Sequence, residues 1–303
     1  MHKKLLEKFS RVEKKAKATR LRRMLYSPVN YIYAIFFRTM NYKFFKKPVL
    51  KETRLFFGKE FYVELPAGTD IFITGGKSDD SEQRLTKFII KNLEEGNSFI
   101  DVGAHFGFYT CLAAECVGTK GIVYSFEGSG NNFKILQLNV NGEANIHCFN
   151  KIVSDREGMA TMYEFPAIYS EFNTLYPGQY ENQAWYSSVK FLECRCASVT
   201  LNSFFDEHEI QPRIIKIDTE GAEYDVVKGF DRYLSKFNSG FIVLEYLCTL
   251  RKNVNHQKAA HFLNSFGFKS FLINEDGDLE PCTDIEEYLA RNNLESDNIV
   301  FSK

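Results

Sequence analysis

An apolar run that breaks into glycines, Ser98-Phe99-Ile100-Asp101-Val102-Gly103-Ala104-His105-Phe106-Gly107, constrains this chain more than any other feature. A second apolar run, Gly121 to Phe126, ends on Glu127, twenty residues past Gly107. A strand, a glycine turn, a helix and a second strand closed by an acid form the layout of a nucleoside-binding β-α-β unit. The glycines let backbone approach a ligand with no Cβ in the way. The acid at the second strand's tip can accept both hydroxyls of a ribose.

The spacing narrows the choice of nucleoside. Dinucleotide folds carry Gly-x-Gly-x-x-Gly, which sets backbone N–H groups against a pyrophosphate. Here Asp101 stands two residues before Gly103, and its carboxylate would repel a pyrophosphate. An acid at that point suits a ligand with a cationic end, such as the amino group and sulfonium of S-adenosylmethionine. The plainer alternative is an acid capping a β-to-α turn, beside glycines needed only for a tight bend.

A second constellation follows the run Ile214-Ile215-Lys216-Ile217: the acidic turn Asp218-Thr219-Glu220-Gly221-Ala222-Glu223. Parallel sheets bind ligands at the carboxyl ends of their strands, so Asp218 and Glu220 should share an edge with Asp101 and Glu127. There they could take a proton from a hydroxyl, orient an acceptor or hold a divalent cation. A cation such as Mg²⁺ would want oxygen ligands from more than one loop, and Glu245, closing the run Phe241 to Leu244, is the third candidate. Acids in a helix's first turn also favour its dipole, which accounts for Glu223. It does not account for Lys216, because a lysine inside a buried run needs a partner.

Along the chain, the first 45 residues read as helix interrupted at Ser27-Pro28. Short strands are expected at 54–57, 61–65 and 70–74, and a helix over 81–94. From residue 98 strands at 98–103, 121–126, 145–153, 213–217 and 240–246 alternate with helices at 107–116, 131–141, 222–234 and 256–266. A strand at 268–273, a helix at 283–291 and a closing strand at 298–302 complete the series. Such alternation means a mostly parallel sheet with helices on both faces, and the last strands suggest an antiparallel edge. The pattern fails between 155 and 200, where strand-like pieces flank an irregular stretch, 166–188, rich in aromatics and holding the only tryptophan, Trp185. It reads as a substrate loop or as a surface embellishment, its aromatics suiting a sugar face or plain packing.

Charge is unevenly placed. Residues 1–25 hold ten Lys or Arg against Glu7 and Glu13, while the whole chain carries −1. The mildly acidic body argues against a nucleic-acid surface there. The apolar run Tyr31 to Phe37 is too short to span a bilayer and lacks a small-residue cleavage site. The basic start and aromatic patch suit either a contact with an anionic membrane surface or protein, or a solvated helix whose aromatic end packs on the body. Seven scattered cysteines with no Cys-x-x-Cys read as reduced thiols, hence a cytoplasmic setting, with peripheral membrane attachment as the variant.

Several stretches, in order, resemble the FkbM family of S-adenosylmethionine-dependent methyltransferases. They are Phe99 to Thr110; Phe126-Glu127 with Asn132 and Leu138-Asn139; Val153-Ser154-Asp155 with Gly158; Leu201 to Phe205; and Ile215 to Glu223 with Gly229. The resemblance implies an α/β, Rossmann-like class I methyltransferase fold. Its seven-stranded, mostly parallel sheet would end in an antiparallel last strand, behind a helical N-terminal extension. The resemblance covers roughly 80–250; with the pattern along the chain it gives a basic helical extension (1–50), a β-hairpin and helix lead-in (51–97) and the methyltransferase domain (98–303). The resemblance further implies O-methylation of a sugar, glycan or natural-product hydroxyl; the acidic body is the ground for expecting no nucleic-acid partner. Carried over by position, Asp101, Gly103, Ala104, His105 and Gly107 would line the methionine end, Glu127 the ribose, and Ser154 and Asp155 the adenine. Asp218 and Glu220 would face the acceptor, with His105 a further candidate base where the family usually has Asn. Gly128-Ser129-Gly130 also departs from the family's proline-containing turn. The alternatives are an inactive methyltransferase-fold interaction protein and a nicotinamide-dependent oxidoreductase.

Overall fold

The structure, a computed structural model, describes residues 2–252 and 254–303. A hairpin of β1 (Val49–Arg54) and β2 (Glu60–Leu65) precedes the alternating region. There β3 (Ser98–Val102), β4 (Ile122–Phe126) and β5 (Ile146–Phe149) are followed by β6 (Ile152–Val153), β7 (Gly158–Glu164) and β8 (Leu192–Val199). The chain continues with β9 (Pro212–Ile217), β10 (Phe241–Leu247), β11 (Lys269–Ile273), β12 (Leu279–Pro281) and β13 (Ser296–Ser302). The main sheet has the order β12-β11-β13-β10-β9-β3-β4-β5. Its pairs from β10 to β5 are parallel, and β13 runs antiparallel between β10 and β11. This is the expected seven-stranded pattern with an antiparallel final strand, lengthened at its edge by β12. The direction of winding reverses between β3 and β9, which puts the ligand crevice of an open α/β sheet at their carboxyl ends.

The central strands are continuously apolar because helices cover both faces. Alternate residues point to opposite layers. Phe99, Val123, Ile214, Val243 and Val300 pack with helices Asp80–Asn92 and Phe108–Val117. Ile100, Tyr124, Ile215, Leu244 and Phe301 pack with helices Leu201–Glu207, Val254–Ser265 and Ile285–Arg291. The lead-in and the extension join the first layer, since Leu5, Ala34, Phe37, Phe61 and Val63 belong to the same buried cluster.

Several local expectations are corrected. Residues 54–57 form the end of β1 and the turn into β2, with Gly58 at a φ of 106°. The apolar run Ile71-Phe72-Ile73, expected as a strand at 70–74, is a helix, Thr69–Thr74, closed by Gly75. Periodicity alone does not separate a short buried helix from a strand. The stretch 145–153 divides: β5 stays in the main sheet, whereas β6 joins β7 and β8 in a second, three-stranded sheet. The helix expected over 222–234 breaks into Glu223–Lys228 and Asp231–Leu234 around Gly229, where a Cβ would lie 2.2 Å from the Ser154 carbonyl oxygen. The N-terminal helices break after Ala16 as well as at Ser27. All seven cysteines are unpaired.

Candidate active site

A cavity of about 580 Å³ opens at the carboxyl ends of β3, β4, β9 and β10, within the range of small-molecule sites. The turn after β3 is held to β4 by two backbone bonds, Gly103 and Ala104 N–H both donating to the Phe126 carbonyl at 3.0 Å. Gly103 sits at a φ of 80°, and a Cβ there would lie 1.8 Å from the Asp218 carbonyl oxygen. Glycine is therefore required for β3 and β9 to close on each other, whatever the ligand. Gly103 and His105 line the cavity, whereas Ala104 and Gly107 shape the turn behind it.

The two acids that look equivalent in sequence stand in different surroundings. Glu127 lines the cavity with its carboxylate fixed by backbone: Oε2 accepts from His105 N–H at 2.7 Å and Oε1 from Ser129 N–H at 2.8 Å. Burial pushes its carboxyl up to about 7, beyond what those two bonds offset. Asp101 is fully buried and does not line the cavity. Its Oδ2 accepts the Thr110 hydroxyl at 2.7 Å, and its Oδ1 lies 3.4 Å from Lys216 Nζ. Lys216 also reaches Asp218 Oδ2 at 3.1 Å. Burial disfavours the ammonium, but Asp218 and Asp101 outweigh it and raise its pKa. The mid-strand lysine thus finds partners on both sides, and Asp218 alone of the three faces the cavity.

Asp218, Glu220 and Glu245 meet there. One carboxylate oxygen from each lies within 4.8 Å of the other two. Leu244 pairs with Ile217 in register, which sets Glu245 level with Asp218. Glu220, at a φ of 53°, accepts the Tyr180 hydroxyl. Burial, then Asp218, pushes Glu220 well above the usual carboxylate range, and burial with Glu220 does the same to Glu245. Glu223 points away to lie 3.0 Å from His256 Nε2 in the buried interior and accepts the Thr219 and Gly221 N–H groups, so its work is to hold the turn.

His105 has its ring stacked on Phe106 and its Nε2 3.1 Å from Ser170 Oγ. Burial, then Lys77 and Lys216, pushes its pKa down to about 3, which leaves a neutral and weak base. Ser154 and Asp155 do not line the cavity; Asp155 pairs with Lys228 at 2.8 Å and Arg156 at 3.2 Å. The wall beyond Glu127 is instead Gly128, Lys151, Ile152, Val153 and Met162.

Two further walls complete the cavity, and the first of them escaped the sequence reading. Lys77 and Glu82 form an ion pair at 2.6 Å on the cavity, with Glu82 pushed by burial up to about 7. The only sign in the sequence is the charged turn Lys77 to Glu82 ahead of a helix. Ser170 to Leu175, within the irregular insertion, form the other wall. Of the insertion's aromatics Phe172 alone lines the cavity; Trp185 stacks on Tyr169 at 4.3 Å and packs against Phe165 and Tyr180. No helix among the described residues is long and apolar enough to cross a membrane.

The profile of the "Methyltransferase FkbM domain" matches residues 101–270, more than half of the chain, and takes in the crevice's Glu127, Asp218, Glu220 and Glu245. The chain belongs to the FkbM methyltransferase family. It is an S-adenosylmethionine-dependent methyltransferase on a class I fold. Among solved structures it is similar to the FkbM methyltransferase of Methylobacillus flagellatus KT, at 12% identity and a TM-score of 0.41 over 75% of this chain and 55% of that one. The match thus spans about half the length of that protein. It is also similar to precorrin-6y C5,15-methyltransferase from Geobacter metallireducens GS-15 (13% identity, TM-score 0.40, 73% of this chain and 87% of that one). A third is Aeropyrum pernix fibrillarin, solved with natively bound S-adenosyl-L-methionine (12%, 0.38, 73% and 74%). No curated protein matches the chain.

The crevice fits the family's cofactor. Each Glu127 oxygen accepts one backbone N–H and keeps a lone pair for a ribose hydroxyl. Ile152, Val153 and Met162 offer an apolar slot beside it for a base.

Proposed function

We propose that this enzyme methylates a hydroxyl oxygen of a sugar, glycan or related natural product, with Asp218 receiving the acceptor's proton. The observation that carries the reading is the meeting of Asp218, Glu220 and Glu245 in the cavity. Asp218 and Glu127 end strands two apart, hence roughly 10 Å from each other at sheet spacing. That separation leaves room for a nucleoside on one side and an acceptor on the other.

S-adenosylmethionine, when bound, supplies a methyl group already activated by its sulfonium. The protein's work is then alignment and proton removal. Lys216 fixes the Asp218 carboxylate from behind. Burial and mutual repulsion push Glu220 and Glu245 toward the protonated form, in which they can donate hydrogen bonds to an acceptor's oxygens. The new bond joins acceptor oxygen to methyl carbon, the carbon–sulfur bond breaks, and the acceptor's proton passes to the carboxylate. Phe172 offers the one aromatic face from the insertion that a sugar ring would meet.

The same three carboxylates form an all-oxygen donor set of the kind Mg²⁺ takes, and such an ion would acidify an acceptor hydroxyl. Seven unpaired cysteines support a reducing, cytoplasmic setting. The test is transfer of an isotope-labelled methyl group to a panel of sugars, glycans and hydroxylated natural products, with and without chelator. Labelled methyl ether on one class supports the reading. Label found only on nitrogen, carbon or nucleic acid sinks it, and turnover unaffected by chelator removes the metal from it.

A further inference from the structure

The N-terminal extension divides into a docked part and a part with nothing over it. Helix His2–Ala16 buries Leu5, Phe9, Val12 and Ala16 on the body, and Glu13 pairs with Lys87 at 2.6 Å. Beyond it the pattern inverts. Of the sixteen large hydrophobics exposed among the described residues, nine fall between 21 and 45: Leu21, Leu25, Tyr26, Val29, Ile32, Ile35, Phe36, Phe44 and Phe45. Helix Pro28–Phe36 shows the cause. Asn30 and Tyr33 face the body, through the Phe72 carbonyl at 3.0 Å and the Phe72 ring at 6.1 Å, with Ala34 buried alongside. The opposite side of the same helix is Val29, Ile32, Ile35 and Phe36, with Val29 77% exposed. A helix apolar all round belongs in a buried setting, and here one side alone is covered.

The charges around this face say what covers it. From Lys14 to Lys51 there are eleven Lys or Arg and no Asp or Glu. Arg20 and Arg22 are exposed before one end, and Lys43, Lys46 and Lys47 flank the exposed Phe44 and Phe45 at the other. We infer that residues 20–37 and 41–47 form a docking surface for an anionic lipid bilayer, the apolar side chains entering the headgroup–acyl boundary and the cations resting on lipid phosphates and carboxylates. A second copy of the chain would bring two strongly basic patches face to face, which like-charge repulsion opposes. A nucleic-acid backbone would pair with the cations but leave Leu25, Val29 and Ile32 in water.

The experiment is co-sedimentation of the full chain with phosphatidylcholine vesicles, with or without phosphatidylserine. Binding to the phosphatidylserine vesicles alone, released by salt at about 0.5 M, is expected. Replacing Lys43, Lys46 and Lys47 together by Gln should weaken partitioning about a hundredfold, at about fivefold per charge. The triple change Val29→Ser, Ile32→Ser and Phe36→Ser should abolish it. Both variants should keep the melting temperature and the affinity for S-adenosylhomocysteine, since none of these residues lines the cavity. No partitioning at low salt, partitioning unchanged by both variants, or a stable dimer dissolved by the apolar triple change would overturn the proposal.

Discussion

The two ends of the cavity are built from different materials. At the β4 end one carboxylate, Glu127, is held by backbone N–H groups on both oxygens and flanked by apolar Ile152 and Val153. At the β9 and β10 end three carboxylates crowd together, supported by the side chains of Lys216 and Tyr180. Backbone donors cannot titrate or swing away, so the first end is suited to holding a constant part of a ligand. Titratable side chains in mutual repulsion are suited to moving protons. On the function proposed above, affinity and chemistry are segregated along one crevice.

The strongest way to break this contrast is Asp218→Asn. Turnover should fall by roughly 10²–10⁴, the usual worth of a positioned proton acceptor, while affinity for S-adenosylhomocysteine stays within a few fold. Calorimetry and a single-turnover assay read the two separately. A large loss of affinity with unchanged turnover of bound substrate would reverse the roles assigned to the two ends.

The next largest effect belongs to Glu127. Its raised pKa means that the folded apo protein favours the proton, so this contribution to stability is present at low pH. It is lost as pH rises from 4.5, its ordinary value, through about 7. Glu82 acts in the same direction over the same window. Ligand binding should run the other way, because ribose hydroxyls need the ionised acceptor. Affinity for S-adenosylhomocysteine should drop about tenfold per pH unit below about 7 and level off above it. Glu127→Gln should lose on the order of 10- to 100-fold in affinity and abolish that dependence. A wild-type affinity flat from pH 5 to 8 would contradict the ribose assignment.

The acidic edge was legible because the parallel sheet's pattern places strand ends together, which brings Glu127, Asp218, Glu220 and Glu245 to one crevice without knowledge of register. The division of labour between Asp101 and Glu127 was not. Asp101 pairs in register with Lys216, one residue short of the strand's end, so its side chain meets the lysine across the strands and turns from the cavity. Only register reveals that, and register is set by the twist and closure of the whole sheet. Lys216 was the one legible hint, as a charge that demanded partners. The Lys77–Glu82 wall was not legible, because it comes from a charged turn far in sequence from the strand ends; the insertion was a candidate loop, but nothing in its pattern marked Ser170–Leu175 as the part that reaches the cavity. The helix Thr69–Thr74 was missed because four apolar or β-branched residues in a row fit either period.

The smallest effect sharpens the acidic end alone. Tyr180 is fully buried among Phe165, Phe172 and Trp185, so Tyr180→Phe keeps its packing and removes only the hydroxyl that donates to Glu220. That bond favours the ionised carboxyl, against burial and the Asp218 charge. Without it Glu220 ionises at still higher pH. Turnover should change by only a few fold near neutrality, because burial and Asp218 already favour the proton on Glu220, and stability should fall by about 1 kcal/mol. The rise or fall of kcat on the alkaline side should move to higher pH, with affinity at the Glu127 end untouched. An unchanged alkaline limb would mean that Glu220 keeps one protonation state throughout turnover.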